Sequence, residues 1–153
     1  MAVEAPLSKF KRNNILIYIV ICVGLALWCA YDGYFNEEFQ SKHTDAEGKP
    51  QAYLVFNRIA PPFFAAGAII LAVFLYAVRN KKIVAEENEI VINGKDRIPY
   101  DSIEKIDKTR FGSKGFFVIT YKDKLGNEVN RKISYKTYDN LEALLDLLVA
   151  KIS

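Results

Sequence analysis

The chain has 153 residues, roughly one domain's length, with 21 Lys and Arg against 18 Asp and Glu and a net charge of +3. A balance this even, with Asp101, Glu104, Asp107 and Asp123 interrupting the basic residues and no stacking platform beside them, argues against a nucleic-acid binder. Mean hydropathy is near zero, but that average hides two long uncharged runs.

Residues 1–13 carry Lys9, Lys11 and Arg12 against Glu4. Ile15 to Tyr31 then holds no charge in 17 residues, and Ala60 to Val78 none in 19. A bilayer core of ~30 Å takes roughly 20 helical residues, so both runs read as membrane spans, over 14–31 and 60–78. The first run has the basic start of a signal peptide. Cleavage after Ala30, however, would put Trp28 at the −3 position, where a small residue is needed, so a retained anchor is expected. Cys22 and Cys29 lie two turns apart on the same span, about 10.5 Å, too far for a disulfide. They are expected to pack as small apolar residues.

In lipid, small residues let helices approach closely. Ala26 and Ala30 on the first span, and Ala65, Ala68 and Ala72 on the second, are the candidate packing positions. Pro61 and Pro62 are expected in the first turn of the second span, where proline is tolerated. Trp28, Tyr31, Phe63 and Phe64 are candidate anchors at headgroup level. Neither span holds an ionisable group of the kind that marks a transport pathway, so an anchor or a docking surface is expected. The connection 32–59 reads as a polar loop capping the hairpin. Its His43 is the only histidine of the chain, far short of a metal-ligand set.

Arg79, Lys81 and Lys82 follow the second span directly. With the basic N-terminus they put both termini in the cytoplasm and the connection outside, by the positive-inside rule. Residues 79–153 then form a cytoplasmic domain. Glu89-Ile-Val-Ile-Asn93 reads as a strand, and Asn93-Gly94 as a two-residue hairpin turn. Arg97-Ile-Pro-Tyr100 returns as its partner, with Pro99 near an edge or a strand end. After a turn at Asp101-Ser102, Ile103 and Ile106 lead into a polar stretch. Gly115 to Lys122 and Glu128 to Ser134 read as further strands about a turn at Asp123–Asn127. Asp139 with Glu142 resembles a capping box. Leu141, Leu144, Leu145, Leu148 and Ile152 then give one amphipathic helix. The fold class expected is a membrane α-helical hairpin plus a small α+β domain of antiparallel strands with a C-terminal helix.

The run Arg97-Ile-Pro-Tyr-Asp-Ser-Ile-Glu-Lys-Ile106, after two spans and a basic junction, resembles bacterial membrane-anchored pleckstrin-homology-like domains. Ile98, Pro99, Tyr100 and Ile103 match their Ile-Pro-aromatic-x-x-Ile pattern, with Tyr100 where tryptophan is frequent. The resemblance covers roughly residues 80–152. It implies an open antiparallel barrel closed by a helix, in a binding or scaffolding module without catalytic residues or cofactor.

No phosphate-binding Gly-rich loop or nucleophile elbow occurs, so no enzyme activity, cofactor or metal is expected. The expected function is that of a non-catalytic accessory or assembly subunit of a larger integral membrane complex, in a bacterial inner membrane. The bilayer and other membrane proteins would be its partners, with no nucleic acid and no small-molecule ligand. The alternative is a free-standing adaptor or sensor whose domain binds lipid headgroups or a peptide. Candidate lipid contacts are Arg79, Lys81, Lys82, Lys105, Lys108 and Arg110, since each charge near anionic lipid gains on the order of 1 kcal/mol.

Overall fold

The computed structural model describes residues 2–152. They divide into two compact units, one from residues up to Arg12 together with those from Val78 onward, the other Asn13–Ala77.

In the second unit, α1 (Lys9–Ala30) continues into a π-helical turn at Tyr31–Phe35, and a short α2 (Glu37–Lys42) follows. The helix α3 runs from Ala52 to Val78. It starts eight residues before the apolar run at Ala60, and Arg58 within that extension finds polar partners in Gly33 O and Gln40 Oε1. Pro61 and Pro62 therefore lie inside the helix and not in its first turn, correcting the expected position. Without their N–H groups, the carbonyls of Asn57 and Arg58 four residues earlier lose their helical donors. Tyr34 Oη–H donates to Arg58 O at 2.8 Å. Arg58 Nε–H in turn donates to Gly33 O at 3.0 Å. The connection is thus a hydrogen-bonded cap.

The first unit holds two antiparallel sheets and a helix. One sheet has the order β1 (Val3–Pro6), β2 (Lys82–Ala85), β3 (Glu89–Ile92), β4 (Asp96–Pro99). The other has the order β5 (Ile103–Asp107), β6 (Phe116–Lys122), β7 (Glu128–Ser134). Among the described residues the sheets share no ladder, so they do not close into a barrel. Asn93 and Gly94 turn the chain as expected, with φ of 55° and 69° and Lys95 N–H donating to Ile92 O at 3.2 Å, but Ile92 pairs with Asp96, so the loop holds three residues and not two. Pro99 ends the edge strand β4, where no ladder partner needs its missing N–H.

A short helix, α4 (Phe111–Lys114), precedes β6, and α5 (Leu141–Ile152) ends the chain's described part. Leu141, Leu144 and Leu148 of α5 are fully buried against Ile83, Ile90, Ile98, Phe117, Ile119 and Ile133 from both sheets. Burying each such side chain stabilises by about 1.5–3 kcal/mol.

The N-terminal residues, expected only as a basic tail, make the outer strand of the first sheet. Val3 pairs with Ala85 and Pro6 with Lys82, and Ala5 is fully buried. This segment is tied to the β7–α5 connection. Leu7 bridges Tyr138, Asp139 N–H donates to Pro6 O at 2.9 Å and Ser8 N–H to Thr137 O at 2.9 Å. The expected capping role of Asp139 is corrected here. Asn140, with φ of 58°, separates it from α5, and Asp139 Oδ2 accepts Lys9 N–H at 3.0 Å, at the start of α1.

Candidate interaction surfaces

The hairpin seam follows from residue spacing. On α1, Ile15 and Cys29 are buried and Cys22 half-buried, seven apart; on α3, Leu54 and Ala68 are buried and Pro61 and Leu75 half-buried at the same interval. A repeat of seven keeps one face of each helix on its neighbour. Both cysteines are free thiols in this seam, and a Cβ on Gly67 would lie 3.9 Å from Cys22 Sγ. Of the candidate packing residues, Ala68 is buried and Ala26 and Ala30 are half-buried. Ala65 and Ala72 are exposed, turned away from the seam. The residue that sequence reasoning missed is Gly33. A Cβ there would stand 2.7 Å from Asn57 O, so only glycine fits this approach.

Outside the seam the helices are apolar and uncovered. Lys9–Phe35 and Ala52–Val78 are long and apolar enough to cross a membrane, and only 11% of the residues in each apolar window are buried. A core helix of a water-soluble domain would be covered, so these faces need an apolar environment. Trp28, Tyr31 and Phe63 are exposed, at 67%, 58% and 71%, while Phe64 is half-buried. His43 is engaged locally: its ring stacks on Phe39 with centroids 4.1 Å apart, and its Nδ1 lies 2.9 Å from Phe39 O.

In the sheet unit the candidate lipid-contacting residues Arg79, Lys81, Lys82, Lys105, Lys108 and Arg110 are all exposed. They are not equally available. Lys82 pairs with Glu4 at 2.7 Å across β1–β2. Lys105 and Arg110 lie close enough to Asp107 to help hold its carboxyl below the usual range, a shift led by the hydrogen bonds from Thr109. Arg131 pairs with Asp96 at 2.9 Å, and Lys132 Nζ sits 3.9 Å above the Phe116 ring.

A groove of about 660 Å³ runs between β4 and the β6–β7 turn, with Lys95, Arg97, Lys122 and Lys124 on its walls beside Glu89, Asp96 and Asp123. None of these four was singled out from the sequence as a contact, because two separate parts of the chain, 95–97 and 122–124, supply them. Arg97 pairs with Glu89 and Lys122 with Glu104 at 2.8 Å. No ion pair among the described residues takes up Lys95 or Lys124. The β6–β7 turn is tied by one carboxylate. Asp123 Oδ1 accepts Asn127 N–H at 2.9 Å and Leu125 N–H at 2.8 Å, which holds its carboxyl below its ordinary pKa.

Among the described residues no group of three or more His, Cys, Asp or Glu could hold a metal ion. No protein-family model, curated protein or solved structure matches the chain.

Proposed function

We propose that the chain is a non-catalytic, membrane-anchored accessory subunit of a larger integral membrane assembly, docking through its hairpin and its sheet domain. The observation that carries this reading is the face of α3 turned from the seam, where Ala65, Ile69 and Ala72 are exposed. Small residues there allow a partner helix to approach closely, and packing is the main driving force between helices in lipid. Two antiparallel sheets closed by α5, with Ile98, Tyr100 and Ile103 of the resembling motif buried, support a pleckstrin-homology-like interaction module. The basic residues of the N-terminus and of 79–82 favour a cytoplasmic position for that module in a bacterial inner membrane.

The test is extraction of the C-terminally tagged chain from native membranes in mild detergent, followed by particle sizing and mass spectrometry. Stoichiometric membrane-protein companions are expected. Their loss on Ala65→Leu/Ala72→Leu, with the chain still inserted, would assign the contact to this face. A particle holding this chain alone would refute the subunit reading.

A second reading rests on Lys95 and Lys124. Two unpaired cations on one groove suit an anionic lipid headgroup or an acidic peptide, with the chain acting as an adaptor. Lys95→Gln/Lys124→Gln should then abolish binding to phosphatidylglycerol vesicles at low salt.

A further inference from the structure

We propose that the loop end of the hairpin is a binding site for an alkylammonium group, supplied by the amine-bearing headgroup of a membrane phospholipid. A groove of about 690 Å³ opens there, with Trp28, Asp32, Phe39, Tyr53 and Phe56 on its walls, a size usual for small-ligand sites. Four of these side chains are aromatic and one is a carboxylate, and no Lys or Arg lines the groove. Aromatic faces attract a cation placed over them, and a neighbouring carboxylate adds to that attraction. A free anion finds no cation there to pair with.

Asp32 is held in position by two hydrogen bonds. Its Oδ2 accepts the Trp28 indole N–H at 2.8 Å, and its Oδ1 accepts Asn36 Nδ2–H at 2.8 Å. Both donors are neutral, and no ion pair among the described residues uses Asp32. A carboxylate oxygen accepts more than one hydrogen bond, so each keeps room for a donor from the groove. The wall behind it is built. The π-helical turn that presents Asp32 is fixed to α3 by Tyr34 and Arg58, and such turns recur at functional sites. The lipid source rests on the membrane-spanning reading of the hairpin, which brings this end of the helices to headgroup depth.

Trp28 is the only tryptophan, so its emission reports directly on the site. The full chain would be reconstituted in phosphatidylglycerol nanodiscs and titrated with phosphatidylethanolamine, with choline chloride as the free-cation arm. A saturable emission change with phosphatidylethanolamine is expected. Its midpoint should move roughly tenfold in Asp32→Asn and in Phe56→Leu, with helicity unchanged by circular dichroism. A flat titration, or equal midpoints in the variants, would overturn the site. Saturation by choline at the same concentration would overturn the lipid source. Alkaline extraction of membranes separates the two failures. A chain that stays in the pellet while the titration is flat loses only the site; a chain released by alkali loses the spanning reading and this proposal together.

Discussion

A methyl group at Gly33 would come within 2.7 Å of the Asn57 carbonyl oxygen, and that oxygen is bare because Pro61 has no N–H to offer it. Gly33→Ala should therefore wedge the hairpin open, at a cost of about 1–3 kcal/mol. Tyr34→Phe should cost about 1 kcal/mol by stripping the donor from Arg58 O. Both would be read as lower midpoints in a denaturing-detergent titration of the reconstituted chain. In the sheet domain, Asp123 ties the β6–β7 turn through backbone N–H groups, Asn127 first, and these hold its carboxyl below its ordinary pKa. A lowered carboxyl pKa adds stability above the ordinary value and loses it as pH falls through the folded value. Asp123→Ala should thus melt earlier than the native chain at neutral pH, with the gap closing as pH falls below the ordinary carboxylate range, checked by thermal unfolding across that range.

Strand β1 is the element on which the sheet domain turns. Removing residues 2–8 would bare the ladder groups of Ile83 and Ala85 that face β1 and open the core at Ala5. A fragment of residues 79–153 should accordingly lose hydrogen-exchange protection at Ile83 and Ala85 and regain it when a peptide of residues 2–9 is added; unchanged protection without the peptide would sink this. Four residues ending in proline carry too little alternation to read as a strand, and their partner lies some 80 residues on in the chain. Strand β5 was hidden for a different reason. A bulge between Ile103 and Lys105 adds one residue, so Ile103 and Ile106, three apart, point to the same side and period two disappears. By contrast, the two apolar helices, the Asn93-Gly94 turn, β7 and α5 were legible, because each depends on local spacing alone. The loop-end cap was not, since Tyr34, Arg58 and Gly33 mean nothing until the prolines are seen to free two carbonyls.

Across the whole molecule, the pairing of β1 with β2 joins the chain before the first apolar helix to the chain after the second. If the helices span a bilayer, both ends must then lie on one side of it. In sealed vesicles, tags at the two termini should be digested together or protected together; one digested and one protected would break the β1–β2 pairing. The same pairing bears on biosynthesis. The ribosome makes β1 first, and its ladder partner β2 emerges after both apolar helices. Until then the nascent strand waits with an open edge, and a hairpin with only one of its helices threaded would strand it across the membrane from its partner. Completion of the sheet is thus a record of correct insertion, and chains that fail it would present quality-control proteases with an unfinished domain.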